Sequence, residues 1–168
     1  MENPGAGDDH VGWARTEKGS EMAAERRARA VWEGTLLEGQ GRLSTESTPV
    51  LSEQSVTWAA RTEDPQGRTS PEELLAAAHA GCYAMALSGA LARGGTPAER
   101  LEVTATCAFD KVGQGWGVTT MDLHVRGRVP GLDRAAFEEV ARVGEEGCPI
   151  SNAIRGNVEI RLTAELQG

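Results

Sequence analysis

Apolar and polar residues alternate along six stretches of the chain, and a period of two is typical of half-buried β-strands. The six stretches are 29–37, 42–46, 55–61, 101–110, 118–128 and 158–166. Between the fourth and the fifth, the glycine-rich run Gly113–Gly117 has the look of a phosphate-binding loop. Because strands flank it on both sides and no helix follows, we interpret it as a hairpin turn.

The clearest helix signal lies in the middle of the chain. Ser70 is a good N-cap, Pro71 suits the first helical position, and Glu73 stands where a capping box needs it. The helix should end near Gly94, because glycine favours a helix C-terminus. Its central stretch, Leu74–Ala92, carries no formal charge, which predicts a long helix that is covered on every side.

That uncharged stretch is long enough to raise the question of a membrane span. It consists mostly of alanine, glycine, serine and histidine, which insert poorly into a bilayer. We therefore expect a buried helix and no membrane partner. One sheet face covers only one side of such a helix, and a second subunit is the simplest source of the missing cover, so the pattern predicts a homodimer.

Two shorter helices follow the fifth strand. Asp133 should cap a helix that runs to Glu146, and Cys148 with Pro149 should begin a short helix to about Arg155. The residues expected to face inward on the first of them are Phe137, Val140 and Val143. The order β-β-β-α-β-β-α-α-β predicts an α+β fold with a mostly antiparallel sheet around the long central helix.

Length and composition limit the remaining choices. The 168 residues fit one domain, which we predict over residues 28–168 after a disordered N-terminal tail at residues 1–27. A net charge of −8 argues against a nucleic-acid partner. The first 30 residues show no apolar signal segment, so we expect a cytoplasmic protein. In that reducing compartment, a cysteine pair is more often catalytic than structural.

The chain has three cysteines, and each lies in a different setting. Cys107 shares the apolar face of the fourth strand and is most simply a small buried side chain. Cys148 precedes Pro149 at a helix start, where free backbone N–H groups favour a thiolate, although the position also suits a plain N-cap. Cys82 lies in mid-helix, where burial alone would raise its pKa and leave it inert.

To act as a nucleophile, Cys82 needs a cation from elsewhere in the fold. Arg61, at the end of the third strand, could supply it, and Glu72 could hold the guanidinium in a bidentate pair. His79 could act as a base or a metal ligand, but a core or interface histidine is the default. The sequence has no Cys-x-x-Cys and no His-x-x-x-His pair, so we predict no metal and no cofactor.

Three groups of residues are informative in combination. They are Trp32-Glu33-Gly34 with Ser44-Thr45-Glu46-Ser47, the run from Ser70 to Cys82, and Gly147-Cys148-Pro149-Ile150-Ser151. Together they resemble the OsmC/Ohr family of osmotically inducible and organic-hydroperoxide-resistance proteins. The first group is similar to the OsmC branch rather than the Ohr branch, and the resemblance covers about Arg29 to the C-terminus.

The resemblance implies a thiol peroxidase that forms an intertwined homodimer with two active sites at the subunit interface. It implies that Cys82 is the peroxidatic cysteine and Cys148 the resolving one. Arg61 would stabilise the thiolate, and Glu72 would orient Arg61. Such an enzyme would reduce organic hydroperoxides better than hydrogen peroxide through a Cys82–Cys148 disulfide. A dithiol such as a lipoylated protein would supply electrons, and the role would be protection against oxidative and osmotic stress.

Two other interpretations of the same cysteines stay open. In the first, the chain is a redox-sensing or small-molecule-binding module whose thiols record oxidant without turnover. In the second, it is a structural stress protein with inert cysteines. Catalytic consumption of peroxide with a dithiol reductant separates the enzyme from the sensor, and rapid labelling of Cys82 near neutral pH excludes the inert protein.

Overall fold

The computed structural model describes residues 23–167, which form two three-stranded sheets and four helices. In chain order the elements are β1 Ala28–Glu33, β2 Gln40–Thr45, β3 Gln54–Val56, α1 Trp58–Thr62, α2 Pro71–Arg93, β4 Arg100–Val112, β5 Gly115–Arg128, α3 Arg134–Glu146, α4 Pro149–Ile154 and β6 Glu159–Leu166. The predicted α+β fold is confirmed. Of the predicted tail, residues 1–22 lie outside the described residues, and the domain boundary at residue 28 stays a prediction.

The larger sheet has the order β4-β5-β6. β4 and β5 form a long antiparallel hairpin whose turn includes Gly113 at a φ of 61°, a conformation that suits glycine. β6 runs parallel to β5, so α3 and α4 make the crossover between these two strands. The position of Cys148 follows from this topology, because it lies in the crossover, between α3 and α4.

The core lies between this sheet and the helices α2 and α3. Tyr83, Leu87 and Leu91 of α2 are fully buried, and so is Phe137 of α3. A side chain at Gly144 would come within 3.0 Å of the Leu87 backbone, so glycine allows the close approach of α3 to α2 there. By length and composition α2 could cross a membrane, but here its buried residues form the centre of the domain core.

The opposite face of α2 is not covered by residues 23–167. Five residues spaced by about one helical turn are exposed there, and four of them are small. They are Ala77, Gly81, Met85, Ser88 and Ala92. Met85, the one large side chain among these five, is 72% exposed. The cover that the sequence predicts for all sides of the helix is therefore missing on this face of a single chain.

The smaller sheet, β1-β2-β3, is antiparallel throughout. Its strands contact one another and little of the rest of the described chain. All six residues of β1 are exposed, and Trp32 keeps 43% of its surface accessible. A three-stranded sheet with so little apolar burial is not stable by itself in water, so this sheet needs a further surface to pack on.

The predicted strand at 55–61 is wrong beyond Val56. Thr57 takes an extended conformation, and its hydroxyl accepts a hydrogen bond from the Ala60 N–H at 3.1 Å, so the chain turns into the short helix α1. The first strand also ends earlier than predicted. It stops at Glu33, because Gly34 has a φ of 90° and a turn follows.

Two smaller expectations about the helices need correction. Val143 of α3 does not face inward, since 48% of its surface is exposed. The capping box of α2 is only half formed. The Ser70 hydroxyl accepts from the Glu73 N–H at 3.1 Å as expected, but the Glu73 carboxylate accepts a hydrogen bond from the Thr69 hydroxyl at 2.6 Å.

Candidate active site

Cys82 and Cys148, which are far apart in the sequence, lie together where α4 packs against α2. Both are free thiols, and they lie near enough for the Cys148 thiol to raise the pKa of Cys82. Cys148 is fully buried at the N-cap position of α4, and Cys82 is half-buried in the middle of α2. The packing of α4 on α2 brings these two cysteines near each other, which a disulfide between them would require.

Within one chain, the surroundings of Cys82 favour its protonated form. Burial raises the pKa of the Cys82 thiol most strongly, the backbone N–H of Ile150 lowers it, and the Cys148 thiol raises it again. The net result is a pKa above the usual value. A thiol in this state reacts slowly near neutral pH, since the thiolate is the nucleophile.

Arg61 and Glu72 form a tight pair at the N-terminal end of α2. The Arg61 Nη2 lies 2.6 Å from Glu72 Oε1, and its Nε lies 2.9 Å and 3.1 Å from the two carboxylate oxygens. Glu72 is buried, which strengthens the pairing and fixes the direction of the guanidinium. α1 places Arg61 here, and the first turn of α2 places Glu72.

Aromatic rings support the same guanidinium from the side. The Arg61 Cζ lies 3.9 Å from the centroid of Phe109 and 5.7 Å from that of Trp58, within the range of cation–π attraction. Trp116 stacks on Phe109 with the centroids 5.2 Å apart. Arg61 is thus held by a carboxylate on one side and by rings from β4 and α1 on the other.

Within one chain, the Arg61–Glu72 pair does not contact the Cys82–Cys148 pair. Glu72 and Cys82 are ten residues apart on α2, a separation of about 15 Å along the helix axis. Arg61 is not among the groups that shift the pKa of Cys82. One chain therefore contains the thiol pair and the arginine–glutamate pair as two separate half-sites.

Each half-site borders an open cleft. A cleft of about 400 Å³ next to Arg61 is mostly apolar and is lined by Trp32, Leu36, Val56, Thr57, Trp58, Arg61 and Pro71. A second groove of about 350 Å³ reaches Cys82. Arg93 also lines that groove, but its guanidinium lies against Gly89, about two helical turns beyond Cys82.

His79 is part of the same helix interface as the thiols. It is fully buried, and its Nε2 lies 2.8 Å from the hydroxyl of Ser151, which is also fully buried. Burial lowers the pKa of His79, and the carboxylate of Glu145 opposes that shift. The sequence analysis expected a core or interface histidine at His79 but gave Ser151 no role. The available signal for Ser151 was its position three residues after Cys148.

The third cysteine lies near the arginine–glutamate pair. Cys107 is half-buried on β4, and burial together with the negative charge of Glu72 raises the pKa of its thiol. It is therefore a weak nucleophile at neutral pH. Across residues 23–167, no three histidine, cysteine, aspartate or glutamate side chains are grouped so that they could hold a metal ion.

Fold and site together define a class of protein. It is an α+β domain in which two cysteines distant in sequence lie together at a central helix, and an arginine–glutamate pair lies at the start of the same helix. The model of the family described as OsmC-like protein matches residues 63–163. The chain therefore belongs to the OsmC-like protein family, which confirms the resemblance found in the sequence.

Individual relatives agree with this assignment. The chain is 36% identical over 139 residues to peroxiredoxin OsmC of Escherichia coli, which covers 83% of this chain and 96% of that protein. It is 32% identical over 98 residues to the organic hydroperoxide resistance protein of Xanthomonas axonopodis pv. citri, covering 56% and 66%. The crystal structure of the organic hydroperoxide resistance protein OhrB of Bacillus subtilis matches with a TM-score of 0.65 at 27% identity, covering 84% of this chain and 98% of that one.

Proposed function

We propose that this protein is a thiol-dependent peroxidase that reduces organic hydroperoxides. The observation that supports the proposal most directly is the side-by-side placement of Cys82 and Cys148 on two packed helices. The relatives named as peroxiredoxin and as organic hydroperoxide resistance proteins support the same reaction class. Arg61, held by Glu72, is the candidate for the cation that a buried cysteine needs to ionise.

We further propose that the active site is completed by a second copy of the chain. Ala77 is exposed on α2 and lies five residues from Glu72 in one direction and five from Cys82 in the other. If two α2 helices cross antiparallel at Ala77, Glu72 of each copy lies level with Cys82 of the other. Small residues such as Ala77 and Gly81 let two helices approach closely. Arg61 of one copy would then reach Cys82 of its partner.

The chemistry of the complete site follows in two steps. The Cys82 thiolate attacks the outer oxygen of the hydroperoxide, the O–O bond breaks, and the leaving alkoxide takes up a proton to become an alcohol. The guanidinium of Arg61 stabilises first the thiolate and then the charge that develops on the leaving oxygen. Cys82 is left as a sulfenic acid, oxidised by two electrons.

Cys148 then attacks the sulfur of the sulfenic acid, a water molecule leaves, and the Cys82–Cys148 disulfide forms. A dithiol reductant returns both cysteines to thiols by exchange and leaves as its own disulfide. The cycle thus passes two electrons from a dithiol to a peroxide. The overall products are one alcohol, one water and one oxidised dithiol for each hydroperoxide.

The preference for organic substrates follows from the cleft beside Arg61. Its lining includes Trp32, Leu36 and Trp58, which would hold the apolar part of an alkyl or aryl hydroperoxide. Hydrogen peroxide has no such part and gains nothing from these contacts. We therefore expect a higher kcat/KM for cumene hydroperoxide than for hydrogen peroxide.

Peroxide consumption with dihydrolipoamide as the reductant tests the proposal. Wild-type protein should turn over many times, Cys82→Ser should be inactive, and Cys148→Ser should consume one equivalent and then stall as the Cys82 sulfenic acid, which it cannot resolve to a disulfide. Cys107→Ser is the matched control and should keep full activity. Consumption of a single equivalent by the wild type would instead support a redox sensor, and no consumption would leave the cysteines without a catalytic role.

A further inference from the structure

We infer that the buried hydrogen bond between His79 and Ser151 is a clamp that holds α4 on α2 and keeps Cys148 in position to attack oxidised Cys82. The inference rests on the function proposed above, since it concerns the resolving step of that cycle. His79 and Ser151 are positioning residues that act through Cys148. Neither residue reacts with the peroxide or takes part in the redox chemistry of the cysteines.

The two residues are placed symmetrically about the thiol pair. His79 precedes Cys82 by three residues on α2, and Ser151 follows Cys148 by three residues in α4. The thiol pair and the hydrogen-bonded pair therefore form two adjacent connections between the helices, about one helical turn or 5 Å apart. Ile150, between Cys148 and Ser151, also lies near Cys82, because its backbone N–H lowers the pKa of that thiol.

α4 depends on such connections for its position. It has six residues, and its N-cap, Cys148, makes no side-chain capping hydrogen bond. A helix this short has almost no stability of its own, so contacts with neighbouring elements must hold it. The 2.8 Å contact between His79 Nε2 and Ser151 Oγ is a buried polar contact of this kind, made at the third residue of α4.

The pair is polar in a place where apolar side chains would pack well. Both residues are fully buried, and Nδ1 of His79 has no hydrogen-bond partner anywhere in residues 23–167. A bare lone pair is tolerated in a core better than an unpaired N–H, so Nε2–H donates to Ser151 and Nδ1 stays unprotonated. Two apolar residues would avoid this unsatisfied atom altogether. What the polar pair adds is a single preferred alignment of the two helices.

Alignment matters because the sulfenic acid on Cys82 has two competing fates. It can condense with the Cys148 thiol, or a second peroxide can oxidise it to the sulfinic acid, which removes the enzyme from the cycle. The first reaction is intramolecular, so its rate depends on how well Cys148 is held near Cys82. A clamp one turn away favours disulfide formation over irreversible oxidation.

The first measurement uses thiol–disulfide equilibrium and needs no peroxide. Reduced protein is equilibrated with oxidised and reduced glutathione, so that formation of one protein disulfide converts one oxidised glutathione into two thiols. Ser151→Ala should lower the equilibrium constant about tenfold, the factor that the net free energy of one buried hydrogen bond allows. Ser151→Thr, which keeps the hydroxyl, should stay near the wild type.

A second pair of variants and a control make the test specific. His79→Gln keeps an amide near the place of Nε2 and should retain most of the effect, whereas His79→Asn is one methylene shorter and should lose it. If Ser151→Ala does not fold, the comparison of His79→Gln with His79→Asn tests the hydrogen bond in its place. Tyr83→Phe is the matched control, because it removes a different buried hydrogen bond, from the Tyr83 hydroxyl to the Ala141 carbonyl at 3.1 Å. It should reduce thermal stability without changing the equilibrium constant.

The second measurement follows over-oxidation during turnover with cumene hydroperoxide and dihydrolipoamide. Intact mass after a fixed number of turnovers should show about tenfold more sulfinic acid on Cys82 in Ser151→Ala than in the wild type. The inference is overturned if Ser151→Ala matches the wild type in the glutathione equilibrium, or if Tyr83→Phe changes it equally. A wild type without peroxide turnover, but with the expected glutathione results, would refute the peroxidase and leave the clamp standing.

Discussion

Cys82 has the position of a nucleophile but, within one chain, the pKa of an ordinary buried thiol. Its pKa is raised because burial disfavours the thiolate, and the single N–H of Ile150 does not compensate. The guanidinium of Arg61 is well oriented by Glu72 but lies at the N-terminal end of α2, whereas Cys82 lies in the middle of that helix. The reactivity of Cys82 therefore depends on whether a second copy brings that charge to it.

The pH dependence of peroxide consumption should report the presence of that charge. In a variant that combines Arg61→Met with Glu72→Gln, the raised pKa of Cys82 persists, so the thiolate fraction falls about tenfold for each pH unit below it. Activity at pH 7 should be very low and should rise steadily with pH through the alkaline range. In the wild type, a lowered pKa should make the rate almost constant above neutral pH.

Glu72→Gln alone is the control for this comparison. This control keeps Arg61. The double variant also contains Glu72→Gln because, without Arg61, the buried Glu72 carboxylate would be unpaired and would itself destabilise the fold. The pH–rate profile of the control should resemble that of the wild type. A double variant whose pH–rate profile matches that of the control and of the wild type would contradict a role for Arg61 in ionising Cys82.

Residue-level prediction from the sequence succeeded where the chemistry was local. The Ser70 cap follows from residue type and spacing, and the structure contains it. Arg61 and Glu72 do form the expected bidentate pair, although their catalytic roles stay predictions. The meeting of Cys82 with Cys148 depends on how the crossover folds back onto α2, which no local pattern encodes, so only the family resemblance indicated it.

At the scale of elements, α1 shows why short helices escape sequence patterns. Residues 55–61 include Val56, Thr57 and Trp58, all typical of strands, and one helical turn is too short to show a period of 3.6. The Thr57 cap decides the outcome. The longer elements were predicted correctly in type because their signals extend over many residues, a capped and uncharged run in α2 and an alternation with period two in β4 and β5.

α1 matters because it turns Trp58 toward the apolar cleft and Arg61 toward Glu72. Trp58→Leu should therefore impair binding of an organic substrate more than the chemical step. We expect kcat/KM for cumene hydroperoxide to fall by about tenfold or more, the effect of losing apolar contact in a pocket. With hydrogen peroxide, which makes no such contacts, kcat/KM should change little.

A matched substitution outside the cleft completes this test. Leu37 is exposed at 74% and does not line the cleft, so Leu37→Ala should leave the ratio of the two kcat/KM values unchanged. If Trp58→Leu lowers activity toward both peroxides equally, the cleft does not select the substrate. In that case Trp58 would act mainly by supporting Arg61, against which its ring lies.

At the scale of the whole molecule, two surfaces are left without cover by residues 23–167. One is the face of α2 that contains Ala77, Gly81 and Met85, and the other is the sheet β1-β2-β3. Both are continuous with a half-site, since Trp32 of β1 lines the cleft beside Arg61. A homodimer that buries both surfaces would also complete the site, so assembly and catalysis should depend on the same contacts.

Hybrid dimers test whether the site is shared between copies. A chain with Arg61→Met and Glu72→Gln together and a chain with Cys82→Ser should each form an inactive homodimer. In their hybrid, Arg61 of the second chain faces Cys82 of the first, so one of its two sites is complete. Purified hybrid should have about half of the wild-type activity, because a twofold dimer has two equivalent sites. If each site is built within one chain, the hybrid should be inactive.

The position of Cys148 in the crossover between β5 and β6 also links catalysis to heat resistance. A Cys82–Cys148 disulfide would enclose about 65 residues, and closing a loop of that length removes enough freedom from the unfolded chain to favour the native form by about 4 kcal/mol. The oxidised protein should therefore melt on the order of 10 °C above the reduced protein in calorimetry. Equal melting temperatures would argue against that loop. A cell that runs short of reductant would thus accumulate this protein in its more durable form.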